Sequence, residues 1–208
     1  MLGKFITFEG IDGSGKTTII KFIGEYLLKQ GYEVVVTREP GGTKISEKIR
    51  SIILFEDIDA KTEALLFAAS RRQHIKDKLL PELTAGKIIL CDRFLDSSIA
   101  YQAYGRGLSK EDILVINNFA IENLSPDATF YFDVDVEEAL SRASNRSDNN
   151  NLDNEKKDFY INVKKGYDKL ALQQEKRIIR VNANKSIEEV KFEVINKVKE
   201  LLNRWNIQ

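Results

Sequence analysis

The chain has 208 residues, 42% of them apolar, which suits one domain with a substantial core and leaves little room for two. Its 32 basic and 32 acidic side chains cancel, so net charge points to neither nucleic acid nor a membrane surface as partner, and any affinity for anions must be local. One cysteine, Cys91, excludes an intrachain disulfide and a cysteine-built metal site; with no apolar run of membrane-spanning length and no signal peptide ahead of the first strand, a soluble, cytoplasmic protein is expected.

The first element in chain order is a compact strand, Phe5-Ile6-Thr7-Phe8. Gly10-Ile11-Asp12-Gly13-Ser14-Gly15-Lys16-Thr17 follows and fits the G-x-x-x-x-G-K-[ST] phosphate loop. Its glycines allow successive backbone N–H groups to turn toward an anion, Lys16 reaches the terminal phosphates, and the Thr17 hydroxyl suits a magnesium ion. A helix over Thr18–Lys29, with Ile19, Ile20, Ile23, Tyr26 and Leu27 at helical spacing, adds its positive N-terminal end to the cradle. Strand, loop and helix are the context this motif requires, and a nucleoside triphosphate is its expected ligand.

Gly31 reads as a helix stop and Glu33–Thr37 as a second, buried strand, giving a βαβ unit whose strands are parallel but need not be adjacent. Arg38-Glu39-Pro40-Gly41-Gly42-Thr43 then forms a loop at the carboxyl end of a strand, where open α/β sheets bind ligands. Helical spacing from Thr43 places Ile45, Ile49, Ile52 and Ile53 on one face, and a second helix is predicted over Ala60–Leu83. There Phe67 and Arg71 are four residues apart and share a face, an aromatic plane beside a cation fork. Ile88–Cys91 is a third buried strand with Asp92-Arg93-Phe94 at its end, the expected place for an acid that holds magnesium directly or through water. Cys91 itself reads as inert core.

Asp96–Gln102 is helical and leads into a turn at Tyr104-Gly105-Arg106-Gly107. Ser109 caps a further helix, Ala128–Val134 is the fourth strand, and Val136–Ala143 is helical. Composition then shifts to Asn145–Asn154, with almost nothing to bury, which reads as a mobile lid entered past Arg142 and Arg146. A helix marked by Phe159, Val163, Tyr167 and Leu170, a fifth strand at Arg177–Val181 and an amphipathic helix from Ile187 to Leu202 close the chain, with Trp205 packing as the last apolar residue. The whole reads as a single domain, 1–208, of α/β class, with a lid at about 142–155.

These pieces, in this order and over nearly the whole chain, resemble the thymidylate kinase family in its bacterial form. The resemblance rests on the phosphate loop, Glu39-Pro40-Gly41-Gly42, Phe67-Ala68-Ala69-Ser70-Arg71, and Asp92-Arg93-Phe94 followed by Ser98, Tyr101 and Gln102. It implies a three-layer P-loop fold on a five-stranded parallel sheet, a homodimer, and phosphoryl transfer from ATP to dTMP with Mg2+. It further implies that Gly10 to Thr18, including Ile11, Gly13, Ser14 and Gly15, hold ATP, and that Thr17 and Asp92 serve the metal.

On the acceptor side the resemblance implies that Phe67 stacks on thymine and Arg71 bonds a carbonyl edge of it, with Ser98 and Gln102 completing the base pocket. Tyr101 crowds the sugar 2′ position, Asp12 reaches the 3′-hydroxyl, and Arg50 and Arg93 hold the 5′-phosphate. Glu39 faces the sugar or the metal's water shell, and Glu39-Pro40 is a candidate cis peptide. A lid arginine is implied just before a Leu/Ile-Asp/Glu pair. Here Asn151 precedes Leu152-Asp153, so that cation falls to Arg142 or to Arg146, the latter nearer the flexible part. The competing readings are a kinase for another nucleoside monophosphate or a deoxynucleoside, a P-loop regulator, and an inactive paralogue.

Overall fold

The computed structural model describes residues 3–144 and 157–207. Among them, β1 (Lys4–Glu9), β2 (Val34–Arg38), β3 (Ile88–Asp92), β4 (Ala128–Asp133) and β5 (Ile178–Asn182) form one sheet in the order β2-β3-β1-β4-β5, every pair parallel. β1 and β2 are thus separated by β3, within what the βαβ reading allowed. Successive side chains of a strand face opposite sides, and here both sides are apolar. Ile88 and Leu90 join a large core with Ile6, Phe8 and Phe130, while Ile89 and Cys91 join a smaller one with Phe5, Phe94 and Leu79. Helices therefore cover both faces, as a parallel sheet requires.

The second strand corrects one expectation. β2 is the sheet edge, and Val36 is 49% exposed where a buried strand was predicted.

The helices are α1 (Lys16–Lys29), α2 (Lys44–Phe55), α3 (Ala60–His74), α4 (Leu80–Thr84), α5 (Leu95–Ser98), α6 (Lys110–Ile121), α7 (Val136–Ser144), α8 (Lys157–Gln173) and α9 (Ile187–Arg204). α3 and α4 are one run joined through a π-helical stretch at Ile75–Leu79, and α5 continues into another at Ile99–Gly105. The predicted turn at Tyr104 therefore begins two residues late, past Gly105. Ser109 caps α6 by accepting from the Asp112 N–H, and a reciprocal capping box is formed by Ser186 and Glu189 on α9. Trp205 packs against the larger core as expected, and Cys91 is fully buried.

The predicted apolar face of α2 divides. Ile53 is buried, but Ile45 and Ile52 are 49% and 41% exposed. Phe55, Leu65, Val115 and Phe119 are exposed apolar side chains as well, on α2, α3 and α6, of which α3 packs against both others.

Register aligns the carboxyl ends of the three central strands. Phe8 and Arg38 both pair with Asp92, and the Arg93 and Glu39 N–H groups donate to Phe8 O and Asp92 O. Phosphate loop, Glu39-Pro40 and Asp92-Arg93 consequently emerge side by side. No helix among the described residues is long and apolar enough to cross a membrane.

Candidate active site

Gly13 comes so near α7 that a β-carbon there would stand 2.0 Å from Ala139 O. Gly15 has φ +86° with open space before it, and it precedes α1 without a side-chain cap. The first N–H groups of α1 are thus left for an anion. Lys16 is folded onto the loop, its Nζ donating to Gly10 O (2.9 Å), Ile11 O (3.0 Å) and Ser14 Oγ (3.2 Å). Burial, then the nearby Arg93 charge, lowers its pKa to about 8. Thr17 and Thr18 lie in the exposed first turn of α1.

Thr17 Oγ1 donates to Asp92 Oδ2 at 3.1 Å, while Asp92 Oδ1 is buried with no partner. An orphaned carboxylate oxygen beside a hydroxyl fits a hydrated magnesium, which takes few protein ligands and keeps water and phosphate oxygens as the rest.

A cavity of about 90 Å³ adjoins this cradle. Its walls bring together all nine residues predicted for the acceptor nucleotide: Asp12, Glu39, Arg50, Phe67, Arg71, Arg93, Ser98, Tyr101 and Gln102. Phe67 is only partly buried and belongs to neither core, so its ring is wall rather than packing. Asp12 lines both the cavity and the cradle. Burial raises its pKa, but Arg93 and Lys16 outweigh this and hold it down at about 2.

Arg93 stands where the two spaces meet, in an αL backbone (φ +71°) that costs a non-glycine residue energy. Its fork donates to Asp12 Oδ1 (2.8 Å), Gly10 O (3.1 Å) and Tyr101 OH (3.1 Å), and the Tyr101 hydroxyl in turn donates to Asp12 Oδ2 (3.0 Å). Beneath lies Glu9, which motif reading passed over. Fully buried, it accepts from the Phe94 N–H (2.7 Å), Ser97 Oγ (2.6 Å) and Tyr167 OH (3.0 Å). Burial, and then repulsion from Asp96, raises its pKa to about 7. By gripping the residue after Arg93, Glu9 helps to hold the strained backbone in place.

Two expected roles take a different form. Glu39 is 4% exposed; its oxygens accept from Arg71 Nε (2.7 Å) and pair with His74 Nδ1 (3.0 Å), while His74 Nε2 meets Thr37 Oγ1 (2.8 Å). A buried carboxylate needs such partners, so Glu39 secures Arg71 rather than presenting free oxygens to a sugar. Arg71, at 2% exposure, is also committed: it donates to Ser98 Oγ and Phe94 O (2.9 Å each) and to Asn117 Oδ1. Four of its five N–H groups are taken, and one on Nη2 is left for a ligand. Arg50 Nη1 donates to Pro40 O (2.9 Å), at the cis Glu39-Pro40 bond, as anticipated.

Arg142 does not line the acceptor cavity but adjoins the phosphate loop elsewhere. Its guanidinium donates to Ala183 O (3.0 Å) and Glu138 Oε1 (2.8 Å) and lines a groove with Ser14, Gly15, Lys185 and Ser186. Nothing in the β5–α9 loop marked that groove in sequence. Arg146 and the lid sequence to Asn154 lie outside the described residues.

A phosphate cradle with a metal-ready carboxylate, facing a second cavity that has an aromatic wall and two arginine forks, defines a P-loop kinase acting on a small phosphorylated acceptor. The model of the thymidylate kinase family matches residues 8–194. Thymidylate kinase of Clostridium novyi (strain NT) is 48% identical over 197 residues, covering 92% of this chain and 96% of that protein. That of Staphylococcus epidermidis (strain ATCC 12228) is 50% identical over 191 residues, covering 91% and 94%. The crystal structure of thymidylate kinase from Ehrlichia chaffeensis superposes with a TM-score of 0.78 at 36% identity, over 96% of this chain and 99% of that one. The chain belongs to the thymidylate kinase family.

Proposed function

We propose that the chain, read as one kinase domain over 1–208, transfers the γ-phosphoryl group of ATP to the 5′-phosphate of dTMP, giving ADP and dTDP. The observation that carries this is the single acceptor cavity in which Phe67, Arg50 and Arg93 meet the phosphate loop at Asp12. Phe67 offers a stacking face, and Arg50 and Arg93 offer forks suited to a phosphate dianion. The attacking oxygen belongs to a phosphate already anionic near neutral pH, so alignment and charge neutralisation replace a general base. Lys16 and Arg93 neutralise charge at the transfer point. Thr17 and Asp92 would hold a magnesium ion, partly through water, which when bound would supply further charge neutralisation at the phosphates. A cytoplasmic setting accords with the single buried thiol.

A coupled ADP-release assay with dTMP, dUMP, dGMP and thymidine tests the reading. Rapid turnover is expected with dTMP; turnover of thymidine without dTMP, or ATP hydrolysis indifferent to acceptor, overturns it.

The Arg142 groove suits the base of ATP, and this leaves Arg146 as the lid cation. Arg142→Ala should raise KM for ATP by roughly tenfold, the scale of a lost stacking or hydrogen-bonding cation, with little change in kcat. Arg146→Ala should instead lower kcat. Steady-state kinetics that reverse the two effects would exchange the roles.

We assign the exposed apolar side chains of α2, α3 and α6 to contact with a second copy of the chain, giving a homodimer. Phe119, 87% exposed, is an anchor that water alone would not favour. Phe119→Asp should shift the protein to monomer in analytical ultracentrifugation.

A further inference from the structure

We propose that Glu63, held by Arg106, sets which way the Gln102 amide faces and thereby makes the acceptor cavity select a base that offers a ring N–H. Gln102 Nε2 donates to Glu63 Oε1 at 2.9 Å, with the two residues only 2% and 6% exposed. A carboxylate accepts and cannot donate, so turning the amide over would set its oxygen against a carboxylate oxygen in a space closed to water. The nitrogen therefore faces Glu63.

The carbonyl is left pointing elsewhere. Gln102 lines the acceptor cavity, and its Oε1 receives no hydrogen bond from a described residue, nor is it enclosed without a partner. The cavity wall at Gln102 is an acceptor by construction.

Arg106 fixes the carboxylate in turn. Its Nη2 and Nε donate to Glu63 Oε2 at 2.9 and 3.2 Å, and its guanidinium lies 4.8 Å over the Phe159 ring. Guanidinium has donors only, so residue 63 must present oxygen to Arg106 whatever else it does. Neither Glu63 nor Arg106 lines the cavity. They are positioning residues, acting through Gln102.

The consequence is a rule for the base. Thymine and uracil present a ring N3–H to an acceptor; cytosine presents a bare N3 lone pair and is repelled. This rests on the proposed use of the cavity for a pyrimidine monophosphate.

The test compares dTMP with 5-methyl-dCMP, which share sugar, phosphate and methyl group and differ only along that edge. In Glu63→Gln the oxygen of the new amide must serve Arg106, so its NH2 group turns to residue 102, and Gln102 flips to present its own NH2 to the base. The kcat/KM ratio of dTMP to 5-methyl-dCMP should fall at least about tenfold, the scale on which a reversed hydrogen bond discriminates. Gln102→Met, which offers neither donor nor acceptor, should lower the ratio as well, and adding Glu63→Gln to it should change the ratio no further.

A structural role for Glu63 would depress both substrates together and leave the ratio intact, which overturns the proposal. So does an unchanged ratio in Gln102→Met, a result independent of whether Glu63→Gln folds. Failure of the unsubstituted enzyme to use dTMP at all would instead refute the function proposed above.

Discussion

Lys16→Ala is expected to lower kcat by about 10²- to 10³-fold, the usual loss when one preorganised donor to developing negative charge is removed. The far-ultraviolet spectrum and melting temperature should change little. Lys16 Nζ is satisfied by Gly10 O, Ile11 O and Ser14 Oγ. Those carbonyls face the cradle, where water replaces the ammonium once the side chain is gone. A near-normal rate in single-turnover measurements would remove Lys16 from the chemistry. The same residue sets an alkaline limit. With a pKa lowered to about 8 by burial, the lysine of the free enzyme loses its proton as pH rises through that value. The kcat/KM for ATP should therefore decline above about pH 8 and be level below it, and Lys16→Arg, which stays protonated, should abolish the decline.

Arg93→Lys should cost kcat/KM for dTMP about 10³-fold, although charge is conserved, because a transition-state arginine is worth that much and lysine cannot form the same fork. One guanidinium here spans Asp12, Gly10 O and Tyr101 at once. An ammonium reaches one or two of them and leaves Asp12, depressed to about 2 largely by Arg93, with less to balance it. Binding of ATP alone, measured by calorimetry, should change far less than turnover. Equal loss of both would mean that Arg93 merely braces the phosphate loop.

Several parts of the site were legible before any coordinates because they are carried by local pattern. The phosphate loop has obligatory glycines, the Phe67–Arg71 spacing specifies a shared helix face, and Asp92-Arg93 ends an unbroken apolar run. The sheet was legible for the same reason, except at β2. Val34-Val35-Val36 looks identical whether the strand is central or at an edge, and only the insertion of β3 beside β1 decides it.

What was hidden is tertiary. Glu9 falls between the predicted strand and the phosphate loop and matches no motif, yet it meets Tyr167, 158 positions away. The resemblance implies a ligand-facing Glu39, and nothing local to the loop contradicts it. Its engagement by Arg71 and His74 depends on α3 docking against that loop. The exposed half of α2 misled for a related reason: helical periodicity records which face avoids water and does not say whether the cover is the same chain.

The π-helical stretch at Ile99–Gly105 has a bearing on how this site can change over generations. A π turn holds one residue more than an α turn, and here the widened backbone carries Tyr101 toward Asp12 and Gln102 toward Glu63 in the same pass. Point substitutions at either position alter one contact. Loss of a single codon within the stretch would restore an ordinary helix and rotate everything after it by about 100°, uncoupling the contacts to Asp12 and to Glu63 together. Insertions and deletions, rather than exchanges of residue, are therefore the changes this segment is least able to absorb.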